Sequence, residues 1–294
     1  MSLVKSFSVG NGDMFYIKHG SDNFSIIDCC LIDTEKDRII KEINSQRAGK
    51  NIQRFISSHP DDDHIKGLAA LDEEIDIRNF YCVKNNTTKD LASDDFEQYC
   101  TLLDDTKKAF YLHKGCSRRW MNEGNDERGS AGINILWPIT TNKHFKDALQ
   151  AAMNGESPNN ISCVVKYSLN DGATMLWMGD LETDFMKNIE DDFSPPKSDI
   201  LFAPHHGRKS GKVPESWLKL MQPKIVVVGE APSKELNYYQ GFNTITQNSA
   251  GDIAFDCVDK KVHVYVSSDT YSVKFLVDEK QTRPLGNYIG TLKL

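Results

Sequence analysis

Residues 54–70 read Arg54-Phe55-Ile56-Ser57-Ser58-His59-Pro60-Asp61-Asp62-Asp63-His64-Ile65-Lys66-Gly67-Leu68-Ala69-Ala70. Arg54 to Ser57 ends a buried strand, and Gly67 to Ala70 opens a helical pattern. Two imidazoles and three carboxylates therefore share positions 59–64, at a strand-to-helix corner. Adjacent Asp side chains repel one another, and Asp is poor inside a strand and inside a helix. A divalent cation removes the objection. Hard oxygen donors with imidazoles are the ligand set of Zn²⁺, Mn²⁺ or Fe²⁺. The plainer alternative is an acidic turn in which Asp61 or Asp62 caps the next helix. It accounts for one Asp and leaves both His unexplained.

Moving outward, the chain before the corner alternates apolar and polar residues over 4–9, 14–18 and 24–28, with turns at Gly10-Asn11-Gly12-Asp13 and Gly20-Ser21-Asp22-Asn23. This predicts an antiparallel meander. No helical pattern follows Gly12, which argues against a phosphate-binding loop. Asp28 ends its strand as the corner residues end theirs; it either supports the site from behind or is a plain turn residue. Ile39, Ile40 and Ile43 predict an amphipathic helix over 33–47. After the corner, strands are expected at 79–83, 133–137, 163–167, 174–178 (after the turn Asn170-Asp171-Gly172), 199–203 and 224–229. Helices are expected at 143–153, 184–192 and 214–222, and further strands near 253–257, 262–266 and 272–276. The mixture predicts an α/β (α+β) fold of sheets flanked by helices.

Residues 84–132 are more polar and read as a mostly helical insertion beside the active site. Within it, 107–114 and Arg118-Arg119-Trp120 mix basic and aromatic side chains. That mixture suits either a phosphodiester backbone or a solvated helix face.

The chain has 294 residues, 39% hydrophobic and 26% charged, and a formal net charge of −7. This is an ordinary globular composition, and one domain over 1–294 is expected. Binding nucleic acid through bulk charge is excluded, so a phosphate ligand would need a local patch or a metal. No apolar run reaches the ~20 residues of a membrane span, and no signal-peptide core is visible, so a cytoplasmic location is expected. The seven cysteines are odd in number, include adjacent Cys29 and Cys30, and form no CxxC. Reduced thiols fit better than a disulfide framework or a thiolate zinc site. His19, His113, His144 and His263 stand outside any ligand spacing.

Four strand ends finish in metal-type side chains: Asp28, the stretch His59 to His64, Asp180 after Gly179, and His205-His206. In this ordered set the sequence resembles the metallo-β-lactamase superfamily, whose signature is HxHxDH, then Asp after Gly, then His. It is most similar to the branch containing the metallohydrolase domain of the competence channel protein ComEC and the phosphorylcholine esterases. That branch has an opening like Val9-Gly10-Asn11-Gly12-Asp13, a strand ending like Ile26-Ile27-Asp28, HxDxDH, Asn-x-Ser, Gly-Asp and His-His-Gly. Here these stand as His59-x-Asp61-x-Asp63-His64, Asn160-Ile161-Ser162, Gly179-Asp180 and His205-His206-Gly207, across about residues 4–230.

The resemblance implies a four-layer αββα sandwich holding two divalent cations, zinc or manganese. His59 and Asp61 would bind one, Asp63 and His64 the other, with Asp180 between them. One of His205 and His206 would complete the second position and the other would meet the substrate, which with Asp63 makes these the expected catalytic residues. Two positions depart from the superfamily pattern: Asp61 replaces a His, and Asn160 stands where another His is usual. The first position is therefore richer in oxygen, weaker, and tolerant of Mn²⁺. Asn160, Ser162, Arg208 and Lys209 are expected either behind the metal ligands or around the substrate. Residues 230–239 replace the polar segment that closes the family pattern.

The implied activity is phosphodiester hydrolysis by hydroxide held between two cations about 4 Å apart. Nucleic acid is the leading substrate. A small phosphodiester, such as a cyclic nucleotide or a choline phosphodiester, is the alternative, and a regulatory module on the same fold is the non-enzymatic one. Lactam cleavage is disfavoured by Asp61 in the second ligand position.

Overall fold

The computed structural model describes residues 1–169 and 172–294, so the first two residues of the turn expected at Asn170-Asp171-Gly172 fall outside the described residues. In chain order the strands are β1 (Ser2–Ser6), β2 (Phe15–Lys18), β3 (Asn23–Ile27), β4 (Cys29–Cys30), β5 (Ile52–Ile56), β6 (Phe80–Cys82), β7 (Ala109–Tyr111) and β8 (Ile133–Trp137). They continue as β9 (Val164–Ser168), β10 (Thr174–Trp177), β11 (Ile200–Phe202), β12 (Ile225–Val228), β13 (Thr244–Thr246), β14 (Ile253–Val258), β15 (Lys261–Val266) and β16 (Asn287–Lys293). The helices are α1 (Lys36–Arg47), α2 (Asp62–Ile65), α3 (Leu68–Ile75), α4 (Asp94–Asp104), α5 (Lys143–Met153), α6 (Thr183–Asn188), α7 (Glu215–Met221) and α8 (Gln247–Ala250).

Two sheets form. One has nine strands in the order β16-β15-β14-β1-β2-β3-β5-β6-β7, the other six in the order β13-β12-β11-β10-β9-β8. The expected meander is present as antiparallel β1-β2-β3, after which β3 pairs in parallel with β5, setting Ile26 opposite Phe55 and Ile27 opposite Ile56. Period-2 alternation sends alternate side chains to opposite faces. Phe15 and Ile17 thus enter the core shared with the six-stranded sheet, while Tyr16, Phe24 and Phe55 face the helices. Between the sheets, Phe15 of β2 lies 5.1 Å from Phe202 of β11, and Phe202 stacks on Trp177 of β10 at 4.6 Å. Each such fully buried aromatic contributes on the order of 1.5–3 kcal/mol.

On the outer face of the large sheet, Ile39, Ile40 and Ile43 of α1 pack with Leu68 and Leu71 of α3 and with Phe96 and Tyr99 of α4. Ser93 caps α4 by accepting from Phe96 N at 3.2 Å, and Asp94, Asp95 and Glu97 suit its positive end. On the far side of the smaller sheet, Phe145 of α5 and Phe185 of α6 both lie 6.0 Å from Trp137. Helix, sheet, sheet, helix is the four-layer αββα sandwich. Among the described residues, no helix is long and apolar enough to cross a membrane.

The segment 84–132 differs from the helical insertion expected. It holds the single helix α4, and residues 109–111 form β7, which extends the large sheet beside β6 with Tyr81 opposite Phe110. Consecutive aromatics favour a pleated edge over a helix face. Residues 112–114 continue past the finishing end of β7, with Leu112 N donating to Cys82 O at 2.8 Å and Lys114 N to Pro138 O at 2.7 Å. Residues 118–128 instead fold back toward the starting ends of β3 and β5. Trp120 O accepts from Arg54 Nη2 at 3.0 Å, and Arg128 O accepts from Asp22 N at 3.3 Å. The starting ends are opposite the strand ends carrying the metal-type side chains, and it is the start of the segment, through Lys89, that touches them. The strand expected at 272–276 is absent among the described residues; β16 takes its place beside β15.

Candidate metal centre

Asp13 precedes β2, Asp28 follows β3, Ser58 to His64 follow β5, Asp180 follows β10, and His205-His206 follow β11. The layering brings all of them to one edge. At the corner, Asp28 adopts a left-handed φ of 55° and turns its carboxylate under the loop. Its Oδ1 accepts from Ser58 N at 2.7 Å, and its Oδ2 accepts from Ser58 Oγ at 2.7 Å and from His64 Nδ1 at 2.9 Å. His59 Nδ1 meets Ser58 Oγ at 3.0 Å, His206 Nδ1 meets Asp13 Oδ1 at 3.1 Å, and His205 Nδ1 meets Ser210 Oγ at 3.1 Å. Each imidazole thus has its Nδ1 held from outside, which leaves Nε2 as the nitrogen for the interior.

The Nε2 atoms converge on Asp180. His64 Nε2 lies 2.9 Å from Asp180 Oδ1, and His206 Nε2 and His205 Nε2 lie 3.5 and 3.7 Å from Asp180 Oδ2. Asp63 joins through Oδ2, 3.1 Å from His206 Nε2, and Oδ1, 3.8 Å from His64 Nε2. Ligand atoms of Asp13, His64, Asp180 and His206 lie within 4.8 Å of one another. Although Asp13 is that close, it engages the outer nitrogen of His206, so we assign it to orienting that ring.

Whether these residues suit a cation can be read from unsatisfied atoms. His59 Nε2, His64 Nε2 and Asp180 Oδ1 are buried without a hydrogen-bond partner among the described residues, although two of them sit 2.9 Å apart. They are close but not aimed at each other, as atoms directed at a shared third centre would be. An unsatisfied buried polar atom such as His59 Nε2 costs about 1–3 kcal/mol. A cation among them would remove that cost, and the donor set of imidazole and carboxylate suits zinc or manganese.

The electrostatics agree. Burial alone would lower the His64 pKa, but the Asp180 and Asp28 carboxylates raise it well above the usual imidazole value. Burial is likewise overcome at His206, where Asp180 and Asp13 push the pKa up to about 10. Asp180 is held well below the carboxylate range, against its burial, by His64 and His206. Burial, with His64 beside it, keeps His59 well below its ordinary pKa and therefore neutral. A field that retains protons on two imidazoles this strongly favours a bound cation.

Backbone detail fixes the strand ends. His205, His206 and Gly207 all have left-handed φ, at 54°, 53° and 80°. For the two His this conformation costs roughly 1–2 kcal/mol each. It is held by His205 N on Gly179 O at 3.0 Å and by Arg208 N on His205 O at 2.8 Å. Gly179 has φ 51°, and a Cβ there would lie 2.6 Å from Ser162 Oγ, the atom that accepts from Asp180 N at 3.0 Å.

The other residues singled out in the sequence lie around this cluster or outside it. Asp61 turns outward: its Oδ1 caps α2 by accepting from Asp62 N at 2.9 Å and lies 3.4 Å from Lys89 Nζ. The capping alternative thus describes Asp61 itself. Asn160 is engaged with Glu182, accepting from its N at 3.1 Å and donating to its Oε2 at 2.9 Å. Arg208 is paired with Glu235 and Asn11, and Lys209 Nζ donates to Lys234 O at 2.8 Å. The departing segment 230–239 braces the first turn, since Glu230 Oε2 accepts from Gly10 N at 2.6 Å. Asp13, Ser58, Ser210 and Lys89 were given no role from sequence. Asp13 had a signal in the Gly-Asn-Gly-Asp turn; the others carried none.

No model of a protein family matches the chain, and no curated protein matches it. Solved structures do. The metallo-β-lactamase-fold protein YhfI from Bacillus subtilis is 11% identical, with 83% of this chain and 95% of that one covered at a TM-score of 0.44. A β-lactamase from Chitinophaga pinensis is 15% identical over 72% and 84% of the two chains, with a TM-score of 0.39. A metallo-β-lactamase with a HARLDQ motif from Cronobacter sakazakii is 13% identical over 66% and 67%, with a TM-score of 0.34.

Proposed function

We propose that the chain is a metal-dependent phosphodiesterase of the metallo-β-lactamase superfamily, nearest to the ComEC and phosphorylcholine esterase branch, working with two zinc or manganese ions. The observation that carries this is the convergence of His64 Nε2, His206 Nε2, Asp63 and Asp180, with each ring's Nδ1 tied behind it. Asp63, His64, Asp180 and His206 would hold one cation, and His59 with Asp180 the start of a second position. A bound divalent cation supplies an acidified water and draws charge from phosphoryl oxygens.

The protein's own groups orient the rest. Asp28 and Asp13 keep the rings turned inward, and Ser162 fixes the Asp180 backbone. His205 has a side chain 18% exposed against 0% for His206, so His205 is the imidazole placed to reach a substrate oxygen. A small phosphodiester fits better than nucleic acid. Trp120 is tied toward the opposite edge, Arg208 and Lys209 are engaged within the protein, and the chain carries a net charge of −7.

Hydrolysis of bis-p-nitrophenyl phosphate, DNA and RNA with Mn²⁺ or Zn²⁺, wild type beside Asp180→Ala, tests this reading. Turnover of the small diester by wild type, with a loss of about 10²–10³-fold in the variant, is expected for removal of a charge-stabilising group. Equal turnover by both proteins removes Asp180 from the reaction. Cation binding without turnover on any diester would instead favour a regulatory module.

A further inference from the structure

The second cation position is short of donors. His59 Nε2 is buried and has no hydrogen-bond partner among the described residues, Asp180 is shared with the first position, and Asn160 is committed to Glu182. Of the corner's two remaining carboxylates, Asp62 is 74% exposed and paired with Lys89, and Asp61 faces away.

What holds it away is well anchored. Asp61 Oδ1, besides accepting from Asp62 N at 2.9 Å, lies 3.4 Å from Lys89 Nζ, which also pairs with Asp62. The Lys89 side chain is only 14% exposed, and its amine sits 5.2 Å from the Phe96 ring centroid. Phe96 belongs to α4, and its neighbour Asp95 fastens that helix to the corner: its carboxylate accepts from Gly67 N at 2.7 Å and from Ala69 N at 3.0 Å. The ammonium is therefore placed by a helix that is itself bolted to the metal-bearing loop.

We propose that Lys89 is a positioning residue that governs loading of the second cation by keeping the Asp61 carboxylate out of the cluster. The inference rests on reading the corner as a metal centre. A second cation must compete with the Lys89 ammonium for Asp61, so the two equivalents bind with graded strength, the first tight and the second weak. Removing the ammonium while keeping the apolar stem frees Asp61 to turn inward. Partners that orient or restrain metal ligands change metal affinity by about 10–100-fold, which sets the expected size of the effect.

The test is Mn²⁺ titration of the chelator-stripped full chain, with free Mn²⁺ followed by electron paramagnetic resonance. Wild type should bind one tight and one weak equivalent. Lys89→Met should tighten the second about tenfold or more and leave the first unchanged, and Lys89→Arg should behave as wild type. The double variant Lys89→Met, Asp61→Asn should return the second equivalent to its weak state. If the double variant stays as tight as Lys89→Met, the effect is bulk charge and the proposal is overturned. An unchanged second equivalent in Lys89→Met, or two equally tight equivalents in wild type, overturns it as well. If neither wild type nor Lys89→Met binds a tight equivalent, the metal-centre reading itself fails, an outcome distinct from the others.

Discussion

His64 Nδ1 lies 2.9 Å from Asp28 Oδ2, and the same carboxylate accepts the amide and the hydroxyl of Ser58. One buried side chain thereby sets both the path of the corner and the orientation of the imidazole nearest Asp180. Asp28→Asn keeps a residue type tolerant of the left-handed φ of 55° while removing the charge. It should weaken metal binding about 10–100-fold, as loss of a carboxylate behind a ligating His does. Metal retained after dialysis against a weak chelator measures this, and retention equal to wild type would count against Asp28 as the orienting group.

The turn before β2 is held by close packing. A Cβ at Gly12 would strike Cys30 Sγ and lie 2.7 Å from Asp63 O, and Asp13 N donates to that same oxygen at 3.2 Å. Gly12→Ala should therefore displace Asp13 and Asp63 together and lower cation affinity, while the core remains intact. Isothermal titration with Zn²⁺ beside a urea unfolding curve separates the two effects.

The cost of loosening the sandwich should be largest where rings cross between the sheets. Phe202 meets Phe15 at 5.1 Å, Trp177 at 4.6 Å and Phe255 at 5.9 Å. Phe202→Ala should cost about 3–5 kcal/mol, read from the urea midpoint at an unchanged slope.

Acid sensitivity should come in part from His19. Burial, then Arg54 and Lys50 nearby, lowers its pKa well below the ordinary imidazole value of 6.5. The Ser25 hydroxyl that accepts from Arg54 Nη1 at 2.8 Å faces His19 Nε2 at 2.9 Å. The folded state keeps this ring neutral while the unfolded chain protonates it below 6.5. The stability is therefore present above that pH and lost as pH falls through it. Denaturant unfolding at pH 7.5 and 5.5 should show a smaller pH dependence in His19→Gln than in wild type.

Much of the candidate site was legible because its signals are local. His59 to His64, Gly179-Asp180 and His205-His206 each sit where a strand pattern stops, and strand ends gather at an edge whatever the loops do. What escaped was set by distant partners. Asp13 finds its use through His206, 193 residues on, and no spacing rule reaches that far. Asp61 has the residue type of a ligand, yet its Oδ1 caps α2 and lies 3.4 Å from a lysine 28 positions later. The stretch 107–120 mixes basic and aromatic residues in a way that does not reveal which end of the sheet it will cover. β16 was missed, and 272–276 read in its place, because pairing with Lys261–Val266 decides between two similar apolar runs.

The cluster takes Asp13 and Asp28 from near the chain's start, His59 to His64 from its first quarter, and Asp180 and His206 from well past its middle. A polypeptide emerging from the ribosome cannot complete this grip until residue 206 has been made and both layers have met. On the proposed reading, metal capture would follow the meeting of the two layers. Were the backbone nicked between His64 and Asp180, each half would own part of the clasp, and added cation should act as the rivet that keeps the halves together.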